Sequence, residues 1–346
     1  MPLAGVGFGA LWTQCFPPPA LITEKNLLTQ TGKVFIVTGG SSGLGFELAK
    51  ILYAAGGKVY ILSRTKQHVD DAILNIKRDV GTDGPELGIL EFIQMDLEDL
   101  TSVQAAAREF VRKEKRLDVL FNNAGLASVP GKKTKQGLEY HIGVNSVAHI
   151  LLETLLKPLL TDTAKLSRPD SVRVVWPASM LCETLAPKGG IRISKLDAPD
   201  ENINEHYAES KVGNWFAASE ISRRFGRQTG VISIAGNPGS YSTNVWRTTP
   251  RIFYWPFLPL LRKPSACTYL WMAFSDDVTM SEAVTGRYAT CDGRWHPGQR
   301  SDLLLALKMK EEGGTVSFYY LYIVIEIYIY LGDFNKFISS NNISIL

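Results

Sequence analysis

Thr38-Gly39-Gly40-Ser41-Ser42-Gly43-Leu44-Gly45 joins two segments of different periodicity. Before it, Lys33 to Thr38 (KVFIVT) is a short β-branched run that reads as a strand. After it, from Gly43 to Ala55, apolar residues recur at helical spacing. Glycine permits positive φ in such a turn and lets backbone amides approach a pyrophosphate, whose charge then sits at the positive end of the helix. Glycine is also a common loop residue. It is the position between a strand and a helix, at the head of a βαβ series, that points to a dinucleotide site.

The alternation continues downstream. Lys58 to Leu62, Ile89 to Gln94, Leu117 to Phe121, Val172 to Trp176 and Val231 to Ala235 read as further strands. Helical stretches at Lys66 to Val80, Thr101 to Lys115, about Leu138 to Leu160 and Glu205 to Arg227 lie between them. No linker divides two cores and no repeat of solenoid period is present. The expected fold is α/β, a single doubly wound Rossmann-type domain with a parallel sheet over residues 31–315. An N-terminal extension (1–30) precedes it and an atypical apolar tail (316–346) follows.

Composition supports a small-molecule protein. The chain has 346 residues, 45% hydrophobic and 21% charged, so it buries a large core. Lys+Arg 37 against Asp+Glu 34 leaves a net charge of +3, too small and too scattered for nucleic-acid binding. Cys15, Cys182, Cys267 and Cys291 have neither CxxC spacing nor a paired framework, which suits reduced thiols and a cytoplasmic location. No basic region precedes the apolar opening, so no signal peptide is expected. Phe318 to Leu331 is intensely apolar, yet it spans 14 residues including Glu326. That falls short of the ~20 a membrane helix needs, so no integral membrane segment is expected. From Val316 the chain turns Tyr/Ile/Asn/Ser-rich, the composition of translated A/T-rich sequence; the segment reads either as a replacement of a C-terminal helix or as an added edge strand.

The cofactor side of the chain can be read from its charges. An acidic residue ending the second strand would bind the ribose hydroxyls of NAD and repel the phosphate of NADP. Here that strand ends Ser63-Arg64-Thr65-Lys66, where Arg64 offers a forked donor and Lys66 a point charge. NADP is therefore the expected cofactor, with an ordinary solvated pair as the alternative. Asp96 could accept from the adenine amine or cap the helix that begins near Asp99.

The chemistry rests on three side chains. Reduction of a carbonyl needs a proton donor at the oxygen, and a tyrosine of pKa ~10 is a poor base in the reverse direction unless a cation is near. Tyr207 and Lys211, four apart, share one helix face. Ser179, ending strand five, could orient a carbonyl and stabilise charge on its oxygen. The five histidines lack ligand spacing such as HExxH, so no metal is expected, and no GxSxG elbow follows a strand.

The GxxxGxG spacing resembles the TGxxxGxG turn of the short-chain dehydrogenase/reductase family. Asn122-Asn123-Ala124-Gly125 matches that family's NNAG motif, and Tyr207/Lys211 its YxxxK, in the expected order. The resemblance spans about Thr31 to Gly314. It implies that Gly39, Ser42, Gly43, Leu44, Gly45, Arg64, Lys66, Asp96, Asn123, Tyr207 and Lys211 bind the cofactor. In the same way Tyr241 and Thr243 of a PGxxxT-like segment would contact it, with Lys157 as a further candidate. Asn145 would hold a relay water beside catalytic Tyr207, Lys211 and Ser179. The aromatic stretch Trp246 to Leu261 would belong to a substrate lid at about 240–265. Ser179 and Tyr207 are 28 apart, longer than usual in the family, so Met180 to Asn204 looks inserted. With the leading LWTQCFPPP, this resembles the retinol-dehydrogenase-like reductases of fungal natural-product pathways. The implied activity is NADP-dependent hydride transfer to or from a small apolar ketone or secondary alcohol, in secondary metabolism. The rivals are a non-catalytic dinucleotide-binding redox sensor or scaffold, and an isomerase or epimerase.

Overall fold

The computed structural model describes residues 7–82, 86–127, 131–192, 202–239 and 265–308. Helix α1 (Phe8–Cys15) precedes strand β1 (Val34–Thr38). There follow α2 (Gly43–Ala54), β2 (Lys58–Ser63), α3 (Lys66–Val80), β3 (Ile89–Gln94), α4 (Leu100–Lys113) and β4 (Val119–Phe121). The turn α5 (Tyr140–Ile142) runs through a π-helical turn, Gly143–Val147, into α6 (Ala148–Lys165). Then come β5 (Arg173–Pro177), α7 (Leu181–Thr184), α8 (Ile203–Ile221), β6 (Ile232–Gly236), β7 (Ala289–Thr290) and β8 (Arg294–Trp295).

The strands order β3-β2-β1-β4-β5-β6-β7-β8 in one sheet. All neighbours are parallel except β7 and β8, which pair antiparallel. The six strands of the sequence reading are all present, with ends shifted by at most two residues. The reversal of strand order between β1 and β4 opens a crevice at the carboxyl ends of the strands, the place where such sheets bind ligands.

Period-two side-chain alternation divides the core. Val34 and Ile36 of β1 join one apolar layer with α4, α6 and α8, while Phe35 and Val37 join the other with α2 and α3. A strand buried on both faces accounts for the unbroken apolar run VFIV. Each helix presents its apolar stripe inward, as with Leu48, Leu52 and Tyr53 of α2 or Val69, Ala72 and Ile76 of α3. Asp99 caps α4, accepting from the Thr101 N–H at 2.9 Å, an interaction worth about 1 kcal/mol. The buried Arg173 guanidinium at the start of β5 donates to the carbonyls of Met272, Ser275 and Val278 at 2.8–3.0 Å. It thereby fastens the helix Cys267–Phe274 to the sheet. Among the described residues no helix is long and apolar enough to cross a membrane, and no disulfide joins any of the four cysteines. The tail from 316 and nearly all of the lid region lie outside the described residues.

Candidate active site

The glycine turn sits at the crevice as the sequence implies. Gly39 and Gly43 have φ of 66° and 57°, a region open to glycine and strained for other residues. At Gly45 an added Cβ would come within 2.4 Å of Asn123 Nδ2 and 2.6 Å of the Gly39 carbonyl, so only glycine lets α2 approach the turn this closely. Ser42 takes the N-cap position of α2 without a side-chain cap, and the first turn carries no acid. Leu44 follows in that turn. The amides at this helix start are thus directed into the crevice with the chemistry a pyrophosphate needs.

Next to it, Ser63 at the end of β2 faces Ser41 of the turn, hydroxyl to hydroxyl at 3.4 Å. Arg64 is half exposed and pairs with Glu98 at 3.0 Å, and Lys66 pairs with Asp70 at 2.7 Å. Glu98 also accepts from Lys132 and from the Tyr140 hydroxyl, and these partners hold its carboxyl below the usual range against the opposing pull of burial. The Asp96 carboxylate accepts from the Glu98 N–H at 3.0 Å. Capping of α4 falls instead to Asp99, separating the two roles weighed for Asp96.

Asn123 and Asn145 act as clamps. Asn123 Nδ2 donates to the Thr38 carbonyl at 2.8 Å, and its Oδ1 accepts from the Tyr269 hydroxyl at 3.1 Å. Asn145 lies in the π turn, a geometry frequent at functional sites because it redirects one side chain out of helical register. Its Oδ1 accepts from Leu126 N–H at 2.9 Å, while its Nδ2 donates to the Leu126 carbonyl and to Ser210 Oγ. A Cβ on Gly125 would stand 3.2 Å from Asn145 Oδ1 and 3.4 Å from Lys211 Nζ, so the NNAG backbone passes between asparagine and lysine.

Ser179 follows β5. Its Oγ accepts from Leu181 N–H at 3.2 Å, starting α7, and its side chain neighbours that of Tyr207. Tyr207 and Lys211 lie one turn apart on α8, with Lys211 Nζ 5.6 Å from the Tyr207 ring centroid. The two ionise in opposite senses. Burial raises the Tyr207 phenol well above 10; nearby Cys182 adds to that and the Ser179 hydrogen bond offsets part of it. Burial also lowers the Lys211 ammonium to about 8. Burial is thus the largest influence on the phenol, while the Lys211 ammonium stands over its ring.

Three residues to which sequence reasoning gave no role, Thr38, His149 and Tyr269, complete the site. Thr38 Oγ1 accepts from Ala124 N–H at 2.9 Å and lies 3.0 Å from His149 Nε2. His149 Nδ1 meets the Asn145 carbonyl at 3.1 Å. A carbonyl accepts only, so Nδ1 carries the proton, and Nε2 shares the Thr38 hydroxyl proton with the Phe121 carbonyl, 3.3 Å from that hydroxyl. Burial lowers His149 to about 3, keeping it neutral in that tautomer. Thr38 stood in the quoted turn, and His149 stands four residues after Asn145 and one turn along, which is the signal that could have found it. Tyr269 gave no such signal.

Lys157 is not brought to the site. It lies over the Phe225 ring at 4.4 Å, and twelve residues along the helix from Asn145 is roughly 18 Å at 1.5 Å per residue. Tyr241 and Thr243 fall outside the described residues.

Comparison with known proteins agrees with this geometry. Residues 33–182 match the family model for short chain dehydrogenases. A Pestalotiopsis fici protein named short-chain dehydrogenase/reductase iacJ is 39% identical over 305 residues, 86% of this chain and 92% of that protein. The chain belongs to the short-chain dehydrogenase/reductase family. The bet4 short-chain dehydrogenase/reductase of Neocamarosporium betae is 37% identical over 312 residues, covering 88% and 89% of the two chains. Among solved structures, a Mycobacterium paratuberculosis protein superposes with TM-score 0.62 at 25% identity over 88% of this chain and 97% of that one. The fold is shared too with Pseudomonas aeruginosa RhlG in its NADP complex, with TM-score 0.56 at 19% identity over 77% and 96%. This short-chain dehydrogenase/reductase is thus an oxidoreductase of a family with fungal relatives, on a Rossmann-type sheet.

Proposed function

We propose that the protein is an NADP-dependent oxidoreductase that interconverts a small apolar ketone and a secondary alcohol, in the cytoplasm and in secondary metabolism. The observation that carries this reading is the grouping of Tyr207 with Ser179 and Lys211, at the carboxyl end of a sheet whose glycine turn suits a dinucleotide. When bound, the nicotinamide supplies or receives hydride. The chain's own residues do the rest. Ser179 positions the carbonyl oxygen, and Tyr207, held protonated by burial, donates the proton that oxygen needs. Asn145, which like Lys211 lies beside Gly125, is the proposed holder of a relay water for proton resupply.

NADP is preferred because Ser63, neutral and within reach of Ser41, ends β2 where an acid would serve NAD. Arg64 already holds a carboxylate there, the kind of anionic partner a 2′-phosphate would replace. Lys66, the turn residues Ser42 and Leu44, Asp96, and the Tyr241 and Thr243 segment complete the proposed cofactor contacts. The fungal relatives fit the proposed pathway class, and the aromatic stretch after β6 favours an apolar substrate.

The test is incubation of purified protein with NADPH or NADH and a panel of apolar ketones, followed at the nicotinamide absorbance with product analysis. NADPH consumption matched by alcohol is expected. NADPH binding without consumption across the panel would support the scaffold reading, and an isomerised product without net cofactor turnover would support the epimerase reading.

A further inference from the structure

A second polar cluster lies behind Ser179, and the N-terminal helix enters it. Gln14 is 5% exposed, and its Nε2 donates to Glu183 Oε2 at 2.7 Å while its Oε1 accepts from Asn237 Nδ2 at 2.6 Å. The Glu183 side chain is fully enclosed. Its other oxygen accepts from the Tyr288 hydroxyl and from His296 Nε2, the latter at 2.7 Å. Gly298 N–H donates to His296 Nδ1 at 3.1 Å, which leaves the imidazole proton on Nε2, aimed at the carboxylate. The Tyr288 and His296 rings stack at 4.8 Å, making a rigid wall for Glu183.

The cluster touches two functional segments. Glu183 sits on α7, whose first turn is set by Ser179 and whose Cys182 acts on the ionisation of both Tyr207 and Lys211. Asn237 directly follows β6, and its Oδ1 accepts from Gly239 N–H at 3.1 Å, shaping the chain as it leaves the sheet. Gln14 bridges Glu183 and Asn237. The helix bearing it is anchored further along by Arg294, which donates to the Pro18 and Pro19 carbonyls at 3.2 and 2.9 Å.

We propose that Gln14 is a positioning residue of the active site, its amide locking the Ser179–Glu183 segment to the exit of β6. The N-terminal helix is then a working part of the catalytic domain and not an appendage. The inference rests on the assignment of Ser179 and Tyr207 made above, but its physical core, the lock, can be read without turnover. The bonding pattern is also directional, which makes a swap informative. Gln14→Glu alone sets two carboxylates face to face. Glu183→Gln alone turns an amide NH₂ toward the Gln14 NH₂, because Tyr288 and His296 both demand an acceptor. The double variant restores donor to acceptor at each contact, with position 183 now donating and Asn237 still bonded to position 14.

The experiment compares Gln14→Glu, Glu183→Gln and the double variant by hydrogen–deuterium exchange and by ketone-dependent kinetics with NADPH. Each single variant should raise exchange in peptides covering 178–186 and 236–239 while β1 and β2 stay protected. Each should lower kcat by roughly tenfold or more with KM for NADPH little changed, since a displacement of about 1 Å can cost up to 10²-fold. The double variant should recover most of both. Exchange that rises evenly over the chain, exchange that does not change, or a double variant no better than its parents would overturn the proposal. If the wild-type protein reduces no ketone, the functional reading above fails, and the exchange pattern with its rescue still decides the role of Gln14.

Discussion

At the end of β2, Arg64 and Lys66 stand largely in solvent, each held by a carboxylate, whereas around β5 and α8 the ionisable groups Lys211 and His149 are buried and Tyr207 is partly so. The same sheet edge supports both. The difference follows from what each region must do. Discriminating a phosphate needs charges that water can also reach, and such exposed pairs are individually worth about 0–1 kcal/mol and are screened by salt. Moving a proton needs groups whose ionisation the protein sets, and burial shifts all three, the phenol upward and the two bases downward. Breaking one region should therefore leave the other largely intact.

The largest effect is expected from Tyr207→Phe, which removes the transferable proton and keeps the ring. Turnover should fall ~10²-fold or more with NADPH affinity nearly unchanged. A variant that retains more than about a tenth of the rate would contradict the acid assignment.

His149 comes next and is read through stability. Its folded pKa of about 3 lies below the unfolded value of ~6.5, so the unfolded chain binds the extra proton. Stability present above pH ~6.5 is lost as pH falls toward 3, by roughly 4 kcal/mol at ~1.4 kcal/mol per pKa unit. Urea midpoints measured from pH 7 to pH 4 should fall more steeply for wild type than for His149→Gln, whose amide can accept from Thr38 and donate to Asn145. Parallel curves would remove His149 from the account.

Lys211 carries a smaller effect on rate. Reduction should hold below pH 8 and decline above it as the ammonium near pKa 8 loses its proton, because Tyr207 remains protonated far beyond that point. A pH profile of kcat that stays level to pH 10 would show the lysine charge to be dispensable. Arg64→Asp should shift preference from NADP toward NAD by removing a phosphate partner and adding repulsion, yet alter the thermal midpoint little. Equal relative affinities in variant and wild type would sink that assignment.

The sequence was most informative where chemistry and periodicity coincide. Thr38 to Gly45, Asn122 to Gly125 and Tyr207 with Lys211 all fell where the fold places them, because strand, turn and helix each constrain residue type there. Strands β7 and β8 escaped notice because two residues each carry no period, and the helix Cys267–Phe274 did because it is apolar on every side. The π turn at Asn145 leaves no compositional trace. Lys157 misled because a lysine on the right helix looks the same whether it faces a site or an aromatic ring. Gln14 and Glu183 lie 169 residues apart, so only the fold reveals that they meet.

The contrast between the two regions is tested most directly by a salt series at constant pH, in which kcat and KM for NADPH are measured together with an apolar ketone. The Debye length shrinks from ~10 Å at 0.1 M to ~3 Å at 1 M, weakening exposed pairs far more than enclosed ones. The account predicts that KM for NADPH rises with salt while kcat stays level. A kcat that falls in step with the affinity, or a KM for NADPH indifferent to salt, would contradict it.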